Sequence, residues 1–248
     1  MQRKKISLEK PAKQPACSKT KNFLGSMQFL MMRDASSIGL ITDINGIQVK
    51  PIDVYDNLQF LNSAIPEGTL TFAMYSMSHG MTQDVAQTFR ERKSQDTAEV
   101  VMGRQFLMAM LNVIYNINPD MLWLHIAHSR GGATTYSILN GMPDDQQALA
   151  RAKMLCLGLG PAKPLPIRFG KDAQNVYSEE DYIRKWFAII PFLSPNYNIR
   201  FVQPQSGWGN LTAWFADHAR LGGTYKGVQD DYFSKARNKN GFYEIKKY

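Results

Sequence analysis

The chain has 248 residues, 44% hydrophobic and 11% aromatic, enough for one large α/β domain with a substantial core. Its net charge of +8 points to an anionic partner until the charge is located: residues 1–22 carry seven Lys or Arg against Glu9, and residues 226–248 carry six against three acids. The body between is nearly neutral, so composition argues against a nucleic-acid-binding body and confines any anionic partner to the ends.

Residues 1–22 are rich in Lys, Gln, Ser and Pro and poor in large apolar side chains, so a basic disordered tail is expected there, with the domain spanning 23–248. Phe23 to Met32 is too diluted by Gly25, Ser26 and Gln28 to read as a signal core and is assigned to the fold. Ile38 to Ile44 reads as a strand running into Asn45-Gly46-Ile47. Asn-Gly between apolar pairs signals a hairpin. Alternatively the strand enters a glycine loop and Pro51 to Asn62 follows as a helix, with Val54, Leu58 and Leu61 on one face; this second reading is preferred.

Thr69 to Tyr75 is a strand and Ser76 to Thr82 its exit loop, in which His79 is either a substrate-contacting residue or an idle surface histidine. Asp84 to Lys93 and Thr97 to Asn116 are expected helices, the second with Val100, Phe106, Met110, Val113 and Ile114 at close to helical spacing. Leu122 to His128 is an apolar strand that ends in Ala127-His128-Ser129-Arg130-Gly131-Gly132, after which Ala133 to Leu139 reads as a buried helix. This is the layout of a nucleophile elbow, a turn so tight that small residues flank the serine. The same Ser-x-Gly-Gly pattern also occurs in ordinary strand-to-helix turns. His125 is expected in the core, and His128 either lines the site or packs behind the turn.

Gln146 to Ala152 is a short helix and Met154 to Pro161 a buried strand. Its Gly158-x-Gly160 is no dinucleotide loop, because Lys163 stands where a third glycine belongs and Pro161 and Pro164 obstruct the helix; no cofactor is expected. Cys17 and Cys156 suggest neither a disulfide framework nor a metal cluster. Ala173 to Ser178 is a weaker strand, Tyr182 to Ile190 a helix, and Ile199 to Val202 the last clear strand, followed by Leu211 to Phe215, Asp217-His218 and a polar, aromatic end. No apolar run reaches the ~18 residues that span a bilayer; the sequence does not name the compartment, cytoplasm and secretion without a cleavable signal peptide both being open.

Alternating strands and helices predict a mostly parallel sheet covered on both faces, with functional residues at the carboxyl ends of its strands. Ser129, Asp181 and His218 each follow a strand, in the order Ser, Asp, His. Serine is too weak an acid to attack unaided, so an imidazole must take its proton and a carboxylate must orient that imidazole. Of the four histidines, His218 alone follows every strand. For the acid, Asp181 competes with Glu179 and Glu180, whereas Asp172 precedes its strand; a helix cap is the structural role open to Asp181.

Ala-His-Ser-Arg-Gly-Gly at 127–132, Asn-Gly-Ile at 45–47, Asp181 after Tyr-Ser-Glu-Glu, and Asp-His at 217–218 together resemble the α/β-hydrolase superfamily. Within it, the Asn-Gly-Ile and Ser78-His79-Gly80 segments are similar to lipase-like proteins of chlamydiae and their relatives. The resemblance implies Ser129 as nucleophile, His218 as base, Asp181 as acid, and the amides of Arg130 and Gly46 or Ile47 as the oxyanion hole. It implies an esterase or lipase-like activity on a small-molecule or lipid acyl substrate. Ala127 replaces the usual glycine, no His-Gly-Gly-Gly oxyanion motif is present, and the strands preceding the Asn-Gly strand are reduced. The other reading is a hydrolase fold kept as a binding or effector module, its charged tails engaging an anionic partner.

Overall fold

A computed structural model describes residues 27–31, 40–64, 69–117, 123–170, 172–179, 181, 195–204, 218 and 224–235. The basic segment 1–22, Cys17, Glu180 and the elements expected over 182–190 and 211–215 lie outside the described residues.

In chain order the elements are β1 (Met27–Met31), β2 (Leu40–Ile44), α1 (Pro51–Ala64), β3 (Leu70–Ser76), α2 (Met81–Arg92) and α3 (Ala98–Ile117). They continue with β4 (Trp123–His128), α4 (Arg130–Asn140), α5 (Asp144–Lys153), β5 (Met154–Leu159), β6 (Asp172–Ser178), β7 (Asn198–Val202) and α6 (Thr224–Lys235). The strands form one sheet in the order β1-β3-β2-β4-β5-β6-β7. Every neighbouring pair is parallel except β1 with β3, so the expected mostly parallel α/β sheet is the observed one, and it is consistent with an α/β-hydrolase-like fold. The segment that resembled a diluted signal core supplies β1, an antiparallel edge of five residues.

Helices cover both faces because β4, buried along its whole length, sends alternate side chains to opposite sides. Trp123 and Ala127 join Val100, Leu107 and Leu111 of α3 and Ile138 and Leu139 of α4. Leu124 and Ile126 join Val54, Leu58 and Leu61 of α1 and Tyr225 and Phe233 of α6. The Asn-Gly hairpin does not form. β2 pairs with β3 and β4, and the chain turns through Asn45–Lys50 into α1, whose first turn is closed when Lys50 N–H donates to Asp53 Oδ2 at 2.7 Å.

The polar, aromatic end of the chain contributes one further described element. Thr224–Lys235 is a helix, and its Tyr225 and Phe233 are buried on the sheet. Among the described residues no helix is long and apolar enough to cross a membrane.

Candidate active site

Parallel strands put the ends of β4, β5 and β6 at one edge: His128 stands opposite Leu159, and Leu159 opposite Val176. Ser129 is the single residue between β4 and α4, and it takes φ 55° and ψ −122°. A side-chain-bearing residue at positive φ costs of order 1–3 kcal/mol and persists only where its surroundings enforce it. Here they do. Ser129 N–H donates to Leu159 O at 3.1 Å, and Ala162 N–H donates to Ser129 O at 2.8 Å, so the β5 exit loop clamps the turn from one side. From the other side β2 presses on Gly131, where a Cβ would stand 2.5 Å from Ile44 O. The small residue expected after the serine is therefore imposed by a neighbouring strand.

The loop after β2 lies directly against the serine. A Cβ on Gly46 would be 2.7 Å from Ser129 Cβ and 3.2 Å from its Oγ. Two buried polar residues hold this loop. Asn45 receives the N–H of Ser76 at 2.7 Å and returns its Nδ2 to Ser76 O at 3.0 Å, tying the exit of β2 to the end of β3. Asp84, fully buried in the first turn of α2, accepts Ser78 Oγ–H at 2.6 Å, His79 N–H at 2.9 Å and Gln48 N–H at 3.3 Å. The loop thus places the Gly46 backbone beside the hydroxyl. Arg130 N–H belongs to the first residue of α4, a position with no intrahelical acceptor.

Asp181 follows β6 and is fully buried. His218 Nδ1 lies 3.0 Å from its Oδ2, an ion pair if the imidazole is protonated. The other ring nitrogen, Nε2, is buried and has no hydrogen-bond partner among the described residues. Of the competing acids, Asp172 begins β6 at the far edge, and it is Asp181, two residues after Glu179, whose carboxylate meets His218. His128 carries the cluster back to the serine: its ring centroid is 4.9 Å from that of His218, and its Nε2 donates to the His218 carbonyl at 2.8 Å. The structure therefore joins Asp181 and His218 directly and reaches Ser129 through its neighbour His128. No hydrogen bond joins Ser129 Oγ to His218 Nε2.

The remaining histidines are structural or exposed. His79 is exposed on the β3 exit loop. His125 is fully buried between Thr42 Oγ1 at 2.7 Å and Thr135 Oγ1 at 2.8 Å, and burial pushes its pKa down to about 3. It is a neutral core residue, as its apolar strand suggested.

Sequence reasoning missed three residues. Tyr225 donates its hydroxyl to Asp181 Oδ2 from α6. Asp84 orders the loop beside the serine. Glu91, fully buried at the end of α2, grips the Arg130 side chain through two hydrogen bonds of 3.1 and 3.2 Å. Arg130 thus presents only its backbone toward the site, and its guanidinium locks α4 against α2.

No protein-family model matches this chain, and comparison with curated proteins finds no match. Among solved structures, a lipase-esterase related protein from Clostridium acetobutylicum aligns with 55% of this chain at 13% identity and a TM-score of 0.29. The alignment covers 47% of that protein, so the chain spans about half its length. Among the described residues no group of His, Cys, Asp and Glu is arranged to hold a metal ion.

Proposed function

We propose that the chain is a serine hydrolase of the α/β-hydrolase type that cleaves a carboxylic ester or thioester through an acyl-enzyme. The observation that carries this reading is the state of His218: one nitrogen is bound to a fully buried carboxylate, the other has no partner among the described residues, and its ring packs on His128, the residue before a serine at positive φ. Nδ1 bonded to Asp181 leaves Nε2 as the nitrogen able to accept a proton.

In the proposed reaction Ser129 Oγ attacks the acyl carbonyl as its proton passes to His218 Nε2. Asp181 stabilises the imidazolium so formed, and the amides of Arg130 and Gly46 or Ile47 hold the oxyanion. The tetrahedral species collapses as His218 returns that proton to the leaving alcohol or thiol. Water then attacks the acyl carbonyl as its proton passes to His218, and His218 returns that proton to Ser129 Oγ as the carboxylic acid leaves. Closing the gap between Ser129 and His218 belongs to substrate binding, since such hydrogen bonds are often long without substrate.

A series of p-nitrophenyl esters of increasing acyl length tests this reading. Turnover that saturates with substrate and is lost in Ser129→Ala supports it. Absence of turnover across the series in folded protein rejects it in favour of a binding module.

A further inference from the structure

Tyr225 stands where the proposed acid and base meet. Its ring lies edge-on to both His128, at 6.0 Å, and His218, at 6.1 Å between centroids. Its hydroxyl accepts the Ser178 N–H at 3.1 Å, which directs its own proton to Asp181 Oδ2. The phenol keeps its proton there, because burial and the Asp181 charge hold its pKa well above the usual tyrosine range.

The crowding around this oxygen is built into the chain. Gly160, at φ +49°, is the residue whose added Cβ would meet both Asp181 Oδ2 at 2.5 Å and the Tyr225 hydroxyl oxygen at 2.6 Å. Only glycine lets the β5 exit loop pass beneath the pair. The same Oδ2 also receives His218 Nδ1–H, so one carboxylate oxygen serves two donors from elements far apart in sequence.

We propose that Tyr225 is a positioning residue of this site: its hydroxyl holds Asp181 Oδ2 at the His218 imidazole and withholds part of that oxygen's charge from it. This rests on Asp181 and His218 being the acid and base of the proposed reaction. Two donors on one acceptor share its electron density, so each bond is weaker than it would be alone. The charged and titratable groups facing this cluster among the described residues are Asp181, His128, Tyr225 and, behind the carboxylate, Tyr177.

The test reads His218 itself, by the proton NMR resonance of its Nδ1–H. In Tyr225→Phe that resonance moves downfield, as the remaining bond to Asp181 strengthens. With 3-fluorotyrosine at position 225, a better donor, it moves upfield. The fluorinated protein keeps both hydrogen bonds, so it answers the question even if the phenylalanine variant folds poorly. In ester hydrolysis, kcat falls about tenfold in Tyr225→Phe with KM unchanged, because Asp181 loses the hydrogen bond that holds it at His218. An unmoved resonance in both proteins overturns the proposal. A resonance that moves in protein hydrolysing no ester upholds the coupling and removes the hydrolase reading instead.

Discussion

His128 reaches ninety positions along the chain to donate its Nε2–H to the backbone carbonyl of His218 at 2.8 Å, with the two rings 4.9 Å apart. The residue before the proposed nucleophile thus fixes the backbone of the proposed base. Through this bond His128 acts on His218 by position, holding the backbone that carries its imidazole. His128→Phe keeps a ring against His218 but loses the donor. Its kcat for an ester substrate falls by about tenfold, the worth of one hydrogen bond, while KM stays within twofold. An unchanged kcat would show that stacking alone sets His218.

The Glu91–Arg130 pair gives a stability prediction. Glu91 Oε1 also accepts Gln87 Nε2–H at 3.0 Å and Thr97 Oγ1–H at 3.1 Å, and Oε2 accepts Thr134 Oγ1–H at 2.7 Å. Removing Glu91 leaves the Arg130 guanidinium in the core with only Glu99, 3.7 Å away, to face its charge. Glu91→Gln is expected to cost about 3–5 kcal/mol in denaturant unfolding, and Glu91→Met with Arg130→Met less than the two single losses added. Strict additivity would mean that the two side chains do not act as a unit.

His125 makes stability depend on pH. Its folded pKa, about 3, lies below its unfolded value near 6.5, so between these limits the unfolded chain binds the extra proton. Its contribution is fully present above pH 6.5 and drains away as pH falls toward 3, at up to about 1.4 kcal/mol per pH unit. Denaturant unfolding of wild type and His125→Gln across this window checks it. The variant is less stable at pH 7, and its stability falls less steeply on acidification. Parallel curves would contradict a buried neutral imidazole.

The sheet was legible because hydrophobic period and strand-helix alternation report burial directly. The β4 run and the small residues after Ser129 announced the elbow, and counting histidines beyond the last strand led to His218. The helix α6 carried a readable signal too, with Tyr225, Val228 and Phe233 at helical spacing, but Lys226, Asp230 and Asp231 on its outer side made it look like a charged end. The roles of Asp84, Glu91 and Tyr225 left no comparable trace. What each does is fixed by partners that the fold supplies: the hydroxyl of Ser78 and amide of Gln48, the guanidinium of Arg130, the carboxylate of Asp181. A buried polar side chain reads in sequence like an exposed one until its acceptor is in view.

The central claim is that Ser129 is a nucleophile activated by His218. The most direct measurement is labelling of the folded protein with a fluorophosphonate, with the modified residue mapped by mass spectrometry. The account predicts one phosphonyl group on Ser129 Oγ with loss of fluoride, abolished in Ser129→Ala and slowed at least a hundredfold in His218→Ala. Folded protein that stays unlabelled, or that labels at Ser129 equally fast without His218, would contradict it.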